Sequence, residues 1–336
     1  MRTAIVVGVT AALLALVLLL GAGDDAGPNA YVVIGIATGA VYGLVALGLV
    51  LVYKGSRVFN FAQGEFGTMA AFAAFFFMDQ FGNRNMPYWL ATLIAIVVVV
   101  AIGLLMERVL VRPLLSASRI NLLVGTIAFA LLCIALEIII FLPEVKLLQP
   151  LMQGINEAGE SAGLTLFDHI VSPQEMITVG TLLFFAIVFA YFFSRTDLGL
   201  AILATSQDEF ATRVVGIGVE RTSRFIWGSA AFLGAIAGIL YAPIAGALVP
   251  GVVTTGVLIP AFTAAVIGGM TSLPGAFVGG VVVGLIQTLA QWASNHYHLG
   301  DKLIQEVLPS LPDVALMVAL LTVLLARPQG LLGTDS

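Results

Sequence analysis

Apolar runs too long and too numerous for a soluble core recur along the whole of this 336-residue chain. A bilayer's hydrocarbon interior is about 30 Å thick, and a helix needs about 20 apolar residues to cross it. Read on that scale, the sequence predicts helices over 4–20, 30–53, 61–78, 88–110, 121–142, 176–193, 225–248, 257–270, 275–293 and 313–326, the eighth and tenth being short. Strands do not compete, because the runs are long and lack a period of two. Charge points the same way: Asp, Glu, Lys and Arg make up 10% of the residues, against about 25% in soluble domains. A surface so poor in charge is stable only where lipid covers it. The expected fold is therefore all-α: one polytopic transmembrane helical bundle over 1–336, with about ten helices.

The basic residues orient the bundle, since Lys and Arg concentrate in cytoplasmic loops. With the N-terminus inside, Arg2, Lys54, Arg57, Arg108, Arg112, Arg119, Arg195, Arg213, Arg221, Arg224 and Arg327 are cytoplasmic, and Arg84, Lys146 and Lys302 are outside. That asymmetry predicts both termini in the cytoplasm. Residues 4–20 read as a retained helix, because the run exceeds the usual length of a signal peptide's apolar region; cleavage near Gly21-Ala22-Gly23 would leave nine spans. Ten spans divide into five and five, and an odd number per half implies an inverted repeat. A cytoplasmic loop over 194–224 and an external, acidic loop over 143–175 are the two segments long enough to meet partners.

Four features carry functional expectations. Gly35, Gly39 and Gly43 form a smooth stripe, repeated by Gly234, Gly238, Ala242 and Gly246 and by Gly275 with Gly279. Small residues at this spacing let helix backbones touch; the same smoothness suits the wall of a narrow path. Asn60, Gln63 and Glu65 open the third helix. Asn60 is placed to cap it with Gln63 reaching back, and Glu65 suits the positive end of the helix dipole; contact with a partner or a gate is the functional alternative. Ser206, Asp208, Glu209, Phe210, Arg213 and Gly216 read as a short capped helix in the cytoplasmic loop, with Ser206 and Glu209 as the capping box. Phe210, Ala211, Val214 and Val215 share its apolar face, which suits docking in a partner's groove. Glu137 is the one carboxylate deep inside a predicted span, and it is either functional or a hydrogen-bonded structural acid.

Other chemistry is missing. The sequence holds no G-x-x-x-x-G-K-[ST] or H-E-x-x-H pattern, so a P-loop nucleotide site and a zinc-protease helix are absent. His169, His296 and His298 do not form a ligand set by spacing, and the single cysteine, Cys133, lies within an apolar run. No catalytic residue, cofactor, metal or nucleic-acid partner is expected.

Several motifs resemble a known family. Gly39-Ala40-Val41-Tyr42-Gly43-Leu44-Val45-Ala46-Leu47-Gly48-Leu49, Tyr53 and Asn60-Phe61-Ala62-Gln63-Gly64-Glu65 resemble the N-terminal signature of branched-chain amino acid ABC importer permeases, of the first of that system's two permease types. Gln207-Asp208-Glu209, Ala211, Arg213 and Gly216-Ile217 resemble its coupling segment. Phe262-Thr263-Ala264-Ala265-Val266-Ile267-Gly268-Gly269, Ser272-Leu273-Pro274-Gly275-Ala276 and Arg327-Pro328-Gln329-Gly330-Leu331-Leu332-Gly333 resemble its C-terminal signatures. Gln63 stands where the family usually has His, and Leu203 where it commonly has a basic residue. The resemblance implies a permease subunit of the bacterial cytoplasmic membrane, paired with a second related permease, two cytoplasmic ABC ATPases and an extracytoplasmic substrate-binding protein. Urea permeases share these signatures, so the substrate is a branched-chain or related amino acid, or urea. The competing class is an autonomous channel or secondary transporter in which Glu137 relays protons.

Overall fold

A computed structural model of the chain describes residues 29–79, 86–114, 118–141, 145–148, 163–166, 169–207, 212, 214, 218–296, 310–327 and 329–332. Within them run eleven helices: α1 (Asn29–Ser56), α2 (Gln63–Asp79), α3 (Tyr88–Met106), α4 (Arg119–Phe141), α5 (Pro173–Arg195), α6 (Asp197–Gln207), α7 (Val219–Ala245), α8 (Val252–Gly256), α9 (Leu258–Gly268), α10 (Leu273–His296) and α11 (Leu311–Ala326). Six are long and apolar enough to cross a membrane: α1, α3 with its extension to Leu114, α4, α5, α7 and α10.

Layering follows from which helices find protein on every side. α1 is apolar all round and is buried without interruption from Gly39 to Val52. It lies at the centre, packed by α10, α7, α9 and α5. α2 and α7 extend this core and pack on each other. A helix apolar on every face must be enclosed by protein or by lipid, and the peripheral helices show the second case. α4 buries only Leu122, Thr126, Ala130, Cys133 and Glu137, one stripe at helical spacing, and turns Leu131, Leu132, Ile139 and Ile140 outward. α3, α5 and α11 likewise present exposed Leu, Val, Ile and Phe side chains. The outer surface is hydrocarbon, as a membrane protein requires.

Local chemistry sets the ends of the elements. Ser172 and Glu175 form a reciprocal capping box ahead of α5, with Pro173 in the first turn. α3 passes through a π-turn at Glu107–Val111; there Arg112 reaches Glu107 at 3.4 Å and Glu220 of α7 at 2.8 Å. α7 ends at Gly246, whose φ of 66° terminates the helix in the left-handed region. The closing motif docks on the turn between α9 and α10: the Leu331 and Leu332 N–H groups donate to the Ile267 and Gly268 carbonyls. Gly330, at φ 80°, lies against Gly269 in this turn.

Three expectations change. Nine of the ten predicted spans contain a helix, and 4–20 lies outside the described residues. Two further helices, α6 and α8, were not foreseen, and the stretches predicted as 61–78, 257–270 and 313–326 form helices of 17, 11 and 16 residues. Hydropathy counts a residue buried against protein the same as one facing lipid, so it does not separate these shorter helices from full spans. The loop over 143–175 includes a small hairpin, β1 (Leu164–Leu166) and β2 (His169–Val171), antiparallel with Leu164 opposite Val171. The all-α expectation holds for the bundle and not for this excursion.

Candidate functional site

The Asn60–Glu65 motif ends up in the protein interior rather than at a water-facing turn. The Asn60 side chain accepts from the Ala62 N–H at 3.0 Å and donates to Gln63 Oε1 at 3.2 Å. Gln63 Nε2 donates to the Ala230 carbonyl of α7 at 2.9 Å. The Phe61 N–H donates to Thr126 Oγ1 of α4 at 3.3 Å. Gln63 therefore reaches back to the Asn60 side chain with one end of its amide and ties α2 to α7 with the other. Gly48 and Gly234 leave the room it occupies: a Cβ at either would press on the Gln63 amide.

Glu65 lies in the first turn of α2, where the helix dipole favours it, but its side chain is fully buried at 0% exposure and is flanked by Glu137 and Thr254. Glu137, 4% exposed on α4, accepts from the Gly251 N–H at 3.0 Å. Sequence reasoning singled out one carboxylate within a span, and the structure buries a second beside it. Glu65 was hidden because it stands at a helix start, which in most sequences means water.

The glycine stripes are packing surfaces. A Cβ on Gly39 would stand 2.7 Å from the Gly280 carbonyl oxygen and 2.8 Å from Val281 Cα, so α1 and α10 meet backbone to backbone there. Gly35 faces Leu285 and Thr288, and a Cβ on Gly43 would lie 3.0 Å from the Leu182 side chain. Gly275 lies on Gly268, and Gly279 on the Ala264 carbonyl, joining α10 to α9. All five are buried. Each is closed off by a neighbouring helix of the same chain, so the space that a path would need at these glycines is filled.

In the cytoplasmic-loop segment a further helix, α6, begins directly after α5. Thr196 is the cap: its Oγ1 accepts from the Gly199 N–H at 3.1 Å, and Asp197 stands in the first turn. α6 then runs through Ser206 to Gln207, so the expected start of the capped segment coincides with the last turn of α6. Thr196 is left extended at the end of α5, with its hydroxyl free to accept from Gly199. Asp208, Glu209, Phe210, Arg213 and Gly216 lie outside the described residues. Thr212 is buried at 3% and Val214 exposed at 71%. Beside this segment an open cleft separates α6 from the start of α7, lined by Asp197, Leu198, Ala201, Arg221 and Thr222.

A polar, capped loop region at one end of the bundle, a core of helices in backbone contact and a lipid-facing rim are the geometry against which the relatives can be compared. The family described as "Branched-chain amino acid transport system / permease component" matches residues 31–326. The chain belongs to this permease family. It is 30% identical over 307 residues to a high-affinity branched-chain amino acid transport system permease protein, BraD, of Pseudomonas aeruginosa, covering 89% of this chain and 94% of that protein. It is 28% identical over 308 residues to the permease protein LivH of that transport system in Escherichia coli, covering 89% and 93%. A probable branched-chain amino acid transport permease of Methanocaldococcus jannaschii is 28% identical over 298 residues, covering 87% and 88%. No solved structure matches the chain. Family membership accounts for the signatures at 39–49, 60–65, 262–276 and 327–333. In this permease the described parts of those signatures are largely internal joints: α1 on α10, α2 on α7, α9 on α10 and the closing segment on Ile267 and Gly268.

Proposed function

We propose that this chain is a transmembrane subunit of an ATP-driven importer and forms half of the path for a branched-chain or related amino acid. The observation that carries the reading is the family match over 31–326 on a chain with six membrane-length apolar helices. A second, related permease supplies the other half, two cytoplasmic ATPases supply the energy, and an extracytoplasmic binding protein delivers the solute. Ten spans with both termini cytoplasmic agree with the distribution of Lys and Arg, and their parity implies a 5+5 inverted arrangement. The path runs where this subunit meets its partner, since the glycine stripes are closed within the chain.

The segment 206–216 is the contact for the ATPases. The cleft between α6 and α7 and the exposed Val214 support this reading. Phe210 is the anchor: Phe210→Ala should weaken copurification with the ATPases and lower uptake far more than Arg213→Ala, because buried aromatics are common interface hot spots and exposed ion pairs are worth about 0–1 kcal/mol. Full uptake and normal copurification in Phe210→Ala would remove that assignment.

Reconstitution decides the function. Proteoliposomes holding this subunit with its permease partner, ATPases and binding protein should take up labelled leucine only with internal ATP, and urea weakly. Preferred urea uptake would move the subunit to the urea permeases. ATP-independent uptake by the chain alone would favour a secondary transporter, the reading that the buried Glu65 and Glu137 side chains support.

A further inference from the structure

Glu65 of α2 and Glu137 of α4 converge on the left-handed turn at Gly251, φ 71°, that opens α8. Glu137 Oε2 takes the Gly251 N–H at 3.0 Å, and a Cβ placed on Gly251 would lie 3.8 Å from Glu65 Oε1. Thr254 of α8 stands over the first turn of α2, close enough that a Cβ on Gly64 would lie 2.7 Å from its Cα. Four buried oxygens face one another around this point with no hydrogen-bond partner from outside their own group: both of Glu65, Oε1 of Glu137 and Oγ1 of Thr254. Among the described residues neither carboxyl is paired with Lys, Arg or His; the ion pairs there belong to Arg112. The other titratable side chain beside the pair is the Cys133 thiol, and Tyr241 of α7 stands at the far end of α8 against Gly256.

Two adjacent carboxylates removed from water repel each other, and each loses its hydration, so this arrangement is stable only if positive charge enters between them. No side chain described there supplies it. Three carboxylate oxygens and a hydroxyl are hard oxygen donors, too few for a dedicated Ca²⁺ or Mg²⁺ cage, which takes about six or more. Full burial of Glu65 leaves no room for a solute the size of an amino acid.

We propose that Glu65, Glu137 and Thr254 form an intramembrane site for one monovalent cation, either a sodium ion or a proton shared between the two carboxyls, that joins α2, α4 and α8. The site goes beyond the transport reading and does not depend on it. Occupancy ties α8, and with it the turn leading into α9, to the α2–α4 pair. Loss of the cation leaves like charges facing each other across that joint.

The test uses the purified full chain in nanodiscs, so its outcome is independent of whether uptake is observed. Thermal unfolding is measured in sodium chloride against choline chloride at equal ionic strength, and infrared spectra are recorded before and after exchange into heavy water. A sodium source gives a saturable rise in unfolding temperature with sodium that Glu137→Gln abolishes and Thr254→Val reduces. A proton source gives, without sodium, a protonated-carboxyl carbonyl band that shifts on deuteration and is lost in Glu65→Gln or Glu137→Gln, with no effect of Thr254→Val. Absence of both the sodium-dependent shift and the carboxyl band in the unmodified chain overturns the proposal. The unmodified chain alone is thus able to overturn it even if a variant fails to accumulate.

Discussion

Gly39 has no room for a side chain, and this single fact redirects the functional reading of the stripe it belongs to. With a Cβ there at 2.7 Å from the Gly280 carbonyl oxygen, α1 and α10 would have to separate. Overpacking of this kind typically costs about 1–3 kcal/mol, and backbone on both sides of the contact leaves little that can yield. Gly39→Leu should therefore lower the thermal unfolding temperature and the yield of folded chain. Gly180→Leu is the control, because nothing lies within 4 Å of a Cβ at Gly180 on α5. Size-exclusion profiles with a heating series compare the two. If Gly39→Leu folds as well as Gly180→Leu and loses only uptake, the stripe lines the path after all. Gln63 teaches a related lesson. Its amide connects α2 to α7 because glycines at 48 and 234 make space, so three residues far apart in sequence share one function that none reveals alone.

At the scale of elements, Thr196 separates α5 from α6 by serving both. Its hydroxyl donates to the Phe192 carbonyl at the end of α5 and accepts from the Gly199 N–H in the first turn of α6. Replacing it by the near-isosteric valine removes both bonds, at about 0.5–2 kcal/mol for the lost cap. Thr196→Val should fray the first turn of α6, seen as faster hydrogen exchange at residues 198–202 with exchange in α7 unchanged. Exchange as slow as in the unmodified chain would mean that packing, not the cap, sets the start of α6. The same element shows why its start was not legible in the sequence. Ser206-Gln207-Asp208-Glu209 has the S-x-x-E form of a capping box, whereas Thr196-Asp197-Leu198-Gly199 lacks the Glu that would have flagged it. A capping signature states where a helix is able to start, and the preceding turn decides whether one is already running.

At the scale of the whole molecule, the segregation of the basic residues is a statement about which side each loop faces, and it can be read chemically. In a Cys133→Ser background, which removes the buried free thiol, single cysteines at 57, 160 and 221 should respond differently to an impermeant maleimide. Position 160 should react from outside intact cells, and 57 and 221 only after permeabilisation. Labelling of 160 solely from the cytoplasm would invert the scheme. The division between sequence and tertiary structure runs along the same physical line. Membrane residence, helical class, family and the location of nine of ten predicted helices were legible in one dimension, because the cost of burying charge in lipid acts on each residue by itself and accumulates along a run. Which apolar helices are core and which face lipid was not, since Leu44 inside α1 and Leu131 on the rim of α4 are the same residue in different company. Glycine spacing announced close approach, but only packing shows that α10 fills the space beside α1. Glu137 stood out by its position within a span, whereas its relation to Glu65, Gly251 and Thr254 exists only once α2, α4 and α8 are brought together. Hydropathy and capping are local sums; a joint between elements is a property of their arrangement in space.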